Sequence, residues 1–472
     1  MIKIEIQNRT CKLSGNPKAL EKLREELSYR HPNAFYIQKK LKYNWDGMVW
    51  PLSKKGIIQT GLLQRAVDFL SKTESEYEII DHRRIPQVGL IPYKVGDLEM
   101  TGKYSFQRRC IEALVNNQVL GISHPRGVIA AAMNAGKTGI MMGIHLSYLD
   151  ARTLILINNK VMYEQLKADL KRVFPDTYGY MQGKNLQWGE IMVCMVQTLK
   201  NRVDAYSEEL LKYNILLTDE CDIAANDTFE YVYDKLAHIS VRAGFSGTVF
   251  LRDLKKDKQK NTNIRQIFGE ALFTIDMQEL ETLKVSTPAV IKSIVVPPKT
   301  TRGENFLEEF REKVTNNTGR HNLILQRILY NLRVGRKHIL VFCKYIDQTE
   351  ILFEFLKNTL PNKYSIDYTH HKRQNPEVIK GFKEGRINVL VTSLYLKRGM
   401  NFPLTNTILN VAGGEWYSNP LQIAGRGVRK HASKKRFFLE DFADSGKYLG
   451  KHSRQRIKYY TKAGYKVRII YP

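Results

Sequence analysis

The sequence lacks the features that mark several classes of protein. Its 472 residues include only five cysteines, which are odd in number, widely scattered and never arranged as Cys-x-x-Cys. This usage predicts neither a disulfide framework nor a zinc site, and it favours a reducing compartment. No apolar run reaches the ~18 residues of a membrane-spanning helix, and the first residues lack the apolar core of a signal peptide. We therefore expect a cytoplasmic protein that has no membrane partner.

Acidic residues are also in short supply. The chain has 47 Asp and Glu against 74 Lys and Arg, which gives a formal net charge of +27. Positive charges in such excess repel one another in a compact fold. We therefore expect a polyanionic partner that offsets them. Without a membrane segment, nucleic acid is the favoured polyanion. The length suggests about three domains, at about 150 residues for each.

The first 92 residues are predicted to form a small α+β domain. Ile2, Ile4 and Ile6 alternate with polar residues, as in a half-buried strand. Asn16 and Pro17 are typical of a helix N-cap and first helical position. Residues 36–50 have strand character, and residues 60–70 have the pattern of a second helix.

Within this region, residues 29–55 combine basic and aromatic side chains with a single acid. The basic residues are Arg30, Lys39, Lys40, Lys42, Lys54 and Lys55, and the aromatic residues include Tyr36, Tyr43, Trp45 and Trp50. Cations track a phosphate backbone, and aromatic rings stack on bases. Lys39, Lys40, Lys42 and Trp45 are therefore the candidate nucleic-acid contacts. A solvated basic surface over an ordinary aromatic core is the alternative.

A phosphate-binding loop is predicted at residues 131–138, AAMNAGKT, between an apolar strand and an apolar helical pattern. The backbone around Asn134, Ala135 and Gly136 would surround phosphates, Lys137 would contact the β and γ oxygens, and the Thr138 hydroxyl would bind Mg²⁺. Ala131 stands where the strict pattern has glycine. Taken alone, the stretch also fits a small-residue turn between a buried strand and a buried helix.

Residues 214–222, NILLTDECD, place two acids at the end of an apolar strand, where ligands bind in an open parallel sheet. Asp219 would hold Mg²⁺, and Glu220 would orient or deprotonate the attacking water. A strand followed by an acidic N-cap has the same pattern. The turn Ser246-Gly247-Thr248 could sense the metal site, although by itself it is only a turn.

The chain between about residues 100 and 393 alternates apolar strands and amphipathic helices, which predicts parallel α/β sheets. Phe106 and Gln107 lie where an aromatic ring and an amide could stack on and hydrogen-bond adenine. Thr198, Thr392 and Ser393, at strand ends or just after them, are candidate contacts to a nucleic-acid backbone. Further on, Arg426 and Arg429 are spaced to point together at a γ-phosphate, although basic residues on a helix are mostly solvated.

The order and approximate spacing of these motifs resemble superfamily 2 helicases over residues 100–435. The remaining stretch, FFLEDFAD and the basic residues after it, is similar to phage recombination helicases of the UvsW type. The resemblance implies an α/β fold: two RecA-like parallel-sheet domains in tandem, over residues 93–275 and 276–472, with ATP and Mg²⁺ as cofactors. It also implies a basic C-terminal tail and a role for Gly399 in nucleotide binding. Asp222 and Asn401 depart from the family pattern.

The sequence thus predicts an ATP-dependent DNA helicase or translocase that acts on branched, duplex or single-stranded DNA in replication, recombination or repair. If a phage encodes it, the compartment is the host cytoplasm. An RNA helicase of the same superfamily is one alternative. A non-catalytic nucleic-acid clamp is another, but a clamp does not need Glu220 and the two arginines for water activation and charge stabilisation.

Overall fold

The computed structural model describes residues 1–40, 45–74, 76–223, 226–247, 249–250, 258–300, 305–373, 375–393, 402, 404–414 and 434–472. The chain divides into two compact units. The first contains Met1–Ala131 and Gly136–Ile275, and the second contains Ala132–Ala135 and Asp276–Pro472. The limits of the three domains expected from the sequence stay a prediction.

The first unit begins with a four-stranded sheet of order β5-β2-β1-β6. Its strands are β1 (Ile2–Ile6), β2 (Thr10–Gly15), β5 (Ile57–Gln59) and β6 (Tyr77–Asp81). The three alternating isoleucines of β1 are buried, as predicted. Helices α1 (Pro17–Leu27) and α3 (Leu63–Leu70) contribute leucines to the same core. The Asn16 side chain caps α1 by accepting from two backbone N–H groups, which confirms the predicted helix start.

The strand predicted over residues 36–50 is wrong up to Lys40, but Met48–Val49 is a strand as predicted. Helix α2 (Ala34–Lys40) occupies the first part, and a short antiparallel pair joins β3 (Tyr29–Arg30) to β4 (Met48–Val49). Aromatic residues favour strands by propensity. Here Ala34 is buried, and the residues three and four positions later are half-buried. That spacing puts them on one face of a helix and leaves the aromatic rings outside.

An eight-stranded sheet of order β14-β13-β15-β12-β16-β17-β11-β18 forms the rest of the first unit, and all its pairs are parallel except β13 with β14. Its strands are β11 (Arg126–Ala131), β12 (Thr153–Ile157), β13 (Tyr178–Gln182), β14 (Asn185–Gln187), β15 (Ile191–Met195), β16 (Ile215–Asp219), β17 (Val241–Phe245) and β18 (Ala271–Ile275). Its helices are α4 (Ser105–Val115), α5 (Lys137–Leu146), α6 (Lys160–Val173), α7 (Val196–Lys200), α8 (Ser207–Leu210), α9 (Asp227–Lys235) and α10 (Lys258–Phe268). The parallel α/β prediction is confirmed.

Short elements complete the first unit. Two antiparallel pairs join β7 (Lys94–Val95) to β8 (Leu98–Glu99) and β9 (Gln118–Val119) to β10 (Ile122–Ser123). Single 3₁₀ turns span Thr60–Leu62, Gly102–Tyr104 and Cys221–Ile223.

The second unit is built on a seven-stranded sheet that is parallel throughout, in the order β21-β22-β20-β23-β24-β19-β25. Its strands are β19 (Ala289–Val295), β20 (Ile339–Cys343), β21 (Ile366–Thr369), β22 (Val389–Ser393), β23 (Thr407–Asn410), β24 (Phe437–Ala443) and β25 (Val467–Ile470). Its helices are α11 (Met277–Thr282), α12 (Phe306–Phe310), α13 (Thr318–Arg333), α14 (Ile346–Thr359), α15 (Pro376–Lys383) and α16 (Leu449–Lys462), and a π-helical turn covers Arg311–Thr315. The last residues, expected as a basic tail, are therefore α16 and the edge strand β25.

Buried ion pairs hold two helices to this sheet. Three acids at or just after β24 are paired with arginines of α13 or α16: Glu440 with Arg327, Asp441 with Arg456, and Asp444 with Arg320. Arg456 also donates to the carbonyls of Gly414 and Phe442, each at 2.8 Å. Because the partners are satisfied on several sides, these pairs fix the helices in one position on the sheet.

The five cysteines are all buried and form no disulfide. In the part of the chain that the structure describes, no helix is both long enough and apolar enough to cross a membrane.

Candidate nucleotide site and nucleic-acid contacts

The carboxyl ends of three neighbouring strands define the candidate nucleotide site. Strand β17 lies between β11 and β16, and its register aligns Ile129, Phe245 and Asp219 side by side. The chain leaves these strands into the phosphate loop, Ser246 and Glu220. The parallel sheet therefore gathers three separate motifs at one edge.

The loop after β11, predicted to bind phosphate, contains two residues in the left-handed region. Asn134 and Gly136 both have positive φ, 74° and 78°, and α5 starts directly afterwards. Glycine is favoured at position 136 because L side chains rarely adopt its φ, and a Cβ there would also displace the side-chain amide of Gln107. The Asn134 amide donates to Ser286 Oγ at 3.1 Å, and both residues belong to the second unit. Ala135 is buried within the turn.

Lys137 and Asp219 act on each other electrostatically. Burial raises the pKa of Asp219 above its ordinary value and Asp222 adds to this, whereas Lys137 opposes it. Asp219 Oδ1 also accepts the backbone N–H of Glu220 at 2.9 Å. Glu220 has a φ of 51°, which a non-glycine residue rarely adopts, and it is only half-buried. A cation, a buried carboxylate and a more accessible one thus occupy one site.

The oxygen donors near Lys137 suit Mg²⁺. Thr138 lies in the first turn of α5 with a half-buried side chain, and Asp219 supplies a carboxylate. Hydroxyl and carboxylate oxygens are the hard ligands that Mg²⁺ takes, usually one or two from protein with the rest from phosphate and water. Thr138 and Asp219 therefore fit the predicted metal, and their role stays a prediction.

Asp222 has a partner that sequence reasoning did not assign. Ser246 Oγ donates to Asp222 Oδ1 at 2.8 Å, and both side chains are buried. The signal was present in the sequence, since a serine after one strand and an acid after another converge when the strands are neighbours. This contact links Ser246 to the acidic motif, whereas Thr248 of the predicted turn lies outside the described residues.

The structure does not support stacking of adenine on Phe106. Its ring is completely buried in the core, so neither face is open to a ligand. The sequence could not separate this case from an exposed ring, because α4 buries the residue by tertiary packing. Gln107 is also buried, but it lies against Gly136 and so adjoins the loop.

The predicted backbone contacts differ in accessibility. Thr198 is half-buried, and its hydroxyl accepts the Gly183 N–H at 3.0 Å. Thr392 is fully buried and donates to the Ser393 carbonyl, so its side chain cannot touch a phosphate in this conformation. The Ser393 side chain is 4% exposed, at the carboxyl end of β22. The Thr392 prediction is not supported, and the other two stay predictions.

Helix α2 exposes the aromatic and basic residues of the N-terminal region. Phe35 and Tyr36 are 60% and 69% exposed, and Lys39 and Lys40 are exposed beside them. Trp45 is less accessible, since its Nε1 donates to the Met48 carbonyl at 3.1 Å. Phe35 was not among the predicted contacts, and it lies just before the stretch that was expected to be a strand.

Four predicted site residues lie outside the described residues: Lys42, Gly399, Arg426 and Arg429. Their roles stay predictions.

Comparison with known proteins agrees with this arrangement. Residues 102–251 match the family described as "Type III restriction enzyme, res subunit", and residues 321–431 match "Helicase conserved C-terminal domain". The chain is 20% identical over 463 residues to the ATP-dependent DNA helicase uvsW of Enterobacteria phage T4, covering 93% of this chain and 89% of that protein.

A second relative and a solved structure extend the comparison. The chain is 22% identical over 360 residues to IRC3 of Saccharomyces cerevisiae, a protein named as an ATP-dependent helicase. The match covers 71% of this chain, which spans about half (51%) of the length of IRC3. Its fold matches a fragment of an HsdR subunit of a type I restriction enzyme from Vibrio vulnificus YJ016. The TM-score is 0.56 at 18% identity, over 78% of this chain and 68% of that one.

The two matched domains and the tandem parallel sheets define the class of protein: the chain is a superfamily 2 helicase. Use of ATP and helicase activity are properties of that family. Within the superfamily the chain resembles the UvsW type, and its likeness to the T4 protein extends over nearly its whole length.

Proposed function

We propose that this helicase is a DNA-dependent ATPase that unwinds or translocates on branched or duplex DNA, in the cytoplasm, during replication, recombination or repair. The observation that carries the proposal is the position of the buried Asp219 at the end of β16, with the more accessible Glu220 directly after it and the Lys137 charge opposing the rise in the pKa of Asp219. A nucleotide-binding clamp needs the cation. It does not need a second, more accessible carboxylate beside it.

The chain's own groups then have separate roles in hydrolysis. Backbone N–H groups at the start of α5 and the Lys137 ammonium bind the β- and γ-phosphates. Glu220 orients the attacking water and accepts its proton. Bound Mg²⁺ would neutralise phosphate charge, with Thr138 and Asp219 as its protein ligands. Arg426 and Arg429 are proposed to stabilise the charge that develops on the γ-phosphate.

Three features support DNA as the polyanion. The formal charge of +27 favours a nucleic acid, α2 exposes rings beside lysines, and the T4 relative is named as a DNA helicase. RNA is the rival substrate, and Asp222 is the departure from the UvsW-type pattern that motivates it. Only the stimulation of ATP hydrolysis by each polymer separates the two.

The test measures ATP hydrolysis with single-stranded, duplex and four-way DNA and with RNA, using the wild-type chain, Lys137→Ala and Glu220→Gln. We expect stimulation by DNA and loss of hydrolysis in both variants, with DNA binding retained, because the site and the basic surface are separate groups. Lys171→Ala, which removes an exposed lysine of α6, is the matched control and should keep full activity. If RNA stimulates hydrolysis more than DNA does, RNA is the substrate instead of DNA. If Lys137→Ala hydrolyses ATP at the normal rate, the assignment of the nucleotide site is wrong.

A further inference from the structure

The last part of the chain has no acidic residue. Residues 445–472 contain Lys447, Lys451, Arg454, Arg456, Lys458, Lys462, Lys466 and Arg468, and neither Asp nor Glu. Helix α16 carries five of these cations. The structure sorts them into two groups by the direction in which they point.

Arg456 points inward and is neutralised by Asp441, with which it makes several hydrogen bonds. Ser453, Tyr459 and Tyr460 are buried on the same side of the helix. The Tyr460 hydroxyl also donates to Asp441, at 2.7 Å. This side of α16 therefore packs against the sheet.

Four cations lie on the outward side of α16. Lys451, Arg454, Lys458 and Lys462 are all exposed, and we call them the basic face of α16. At about 100° per residue, their spacing of three, four and four confines them to an arc of about 80°. At about 1.5 Å per residue they extend along about 16 Å of the helix. They therefore form one straight row.

Three cations of the row are not balanced by acids. In the described chain, Lys451, Arg454 and Lys458 make no ion pair, whereas the exposed Arg172 of α6 pairs with Asp169 and the exposed Lys235 of α9 pairs with Asp204. Like charges at this spacing on a helix repel one another. A row of this kind is stabilised by a partner that brings a row of negative charge.

We propose that the basic face of α16 binds the phosphate backbone of duplex DNA. A duplex presents about one negative charge per 1.7 Å of its axis, enough to meet every cation of the row. The choice of DNA as the polyanion rests on the proposed function.

Two observations favour a duplex over the other polyanions. Single-strand sites combine cations with exposed rings, but the two tyrosines of α16 are buried on the opposite side. A membrane-surface helix inserts its apolar side, and that side of α16 is packed on β24. The basic face thus differs from α2, where exposed rings accompany the lysines.

The test compares two triple variants of the full chain by fluorescence anisotropy without ATP. One carries Lys451→Ala, Arg454→Ala and Lys458→Ala. The control carries Lys357→Ala, Lys363→Ala and Lys383→Ala, which remove equal charge from exposed positions of the same unit. For the first variant we expect weaker duplex binding, and a slope of log K against log salt that is shallower by up to ~2.7, since each duplex contact contributes ~0.9. The control and single-strand binding should change much less.

Equal losses in the two triple variants would show that only net charge matters and would overturn the proposal. An unchanged duplex slope would do the same, as would loss of binding to anionic phospholipid vesicles without loss of duplex binding. ATPase activity of the wild type on single-stranded DNA is measured in parallel. If it is not stimulated, the proposed function fails, while the anisotropy result still decides whether the basic face binds DNA.

Discussion

Ser246 Oγ donates a 2.8 Å hydrogen bond to Asp222 Oδ1, and this bond joins the end of β17 to the turn that follows Asp219 and Glu220. Because both groups are buried, neither side chain is freely solvated when the bond opens. The contact therefore connects the segment of the residues proposed to hydrolyse ATP directly to Ser246.

Ser246→Ala should lower the amount of DNA unwound per ATP hydrolysed more than it lowers hydrolysis itself, because the acids keep their positions but lose this connection. A loss of about 1–3 kcal/mol in stability should accompany it, from the donor removed beside a buried carboxylate. Parallel assays of unwinding and phosphate release measure the ratio. Ser240→Ala is the control, since that buried hydroxyl lies at the other end of β17 and donates to the Arg84 carbonyl. A ratio unchanged from wild type would show that the bond is only structural.

Tyr36→Ala should weaken single-stranded DNA binding by about 1–3 kcal/mol without changing its salt dependence, because a stacking ring carries no charge. Lys39→Ala with Lys40→Ala should instead make the slope shallower by up to ~0.7 for each lysine. Titrations at several salt concentrations distinguish the two effects. Tyr231→Ala, at a partly exposed tyrosine of α9, should have neither effect. If Tyr36→Ala binds as tightly as the wild type, α2 does not stack on bases.

The sequence predicted the elements that are determined by apolar runs or by capping residues within a few positions. The runs at Thr153–Ile157, Ile215–Asp219 and Ile339–Cys343 are strands because five consecutive buried residues fit only the interior of a parallel sheet. Asn16 and Pro17 marked a helix start because a cap acts within one turn. In these cases the physical cause lies within a few residues of its effect.

The failures have non-local causes. The aromatic residues suggested a strand from residue 36, whereas Ala34–Lys40 is a helix that buries Ala34 and exposes Phe35 and Tyr36. Phe106 and Thr392 were placed in sites although their neighbours bury them completely. The ion pair between Arg456 and Asp441 joins α16 to β24. The spacing of the basic residues does not specify which side of α16 faces the sheet.

Arg456→Ala should destabilise the second unit strongly, by about 3–5 kcal/mol, because Asp441 would remain buried with its cation removed. Arg454→Ala, two residues away on the exposed side, should change stability by no more than about 0.5 kcal/mol. Thermal unfolding followed by calorimetry, which resolves the separate transitions of a chain with several domains, measures both. Equal effects of the two substitutions would contradict the sorting of charges on α16.

Stability should fall as the pH drops below neutrality. Burial lowers the pKa of His145 and of His321 to about 4, against 6.5 when unfolded. Below pH 6.5 the unfolded chain therefore binds protons that the folded chain refuses, and stability is lost until about pH 4. Each histidine should cost roughly 2 kcal/mol at pH 5, at about 1.4 kcal/mol per pH unit. Melting curves between pH 5 and 8 should show the loss. In His145→Gln, one proton fewer is bound on unfolding, so the unfolding free energy should depend less steeply on pH. A melting temperature that does not change over this range would contradict the prediction.

The position of β19 has a consequence for synthesis. This strand is the first of its sheet to leave the ribosome, yet its two neighbours, β24 and β25, are the last. While residues 296–436 are being made, β19 has neither partner, and both of its edges can pair with other chains. The second unit must therefore close its sheet only after β24 and β25 have been made. Nascent chains arrested before residue 437 should be sensitive to protease in this unit and should depend on chaperones to remain free of aggregates.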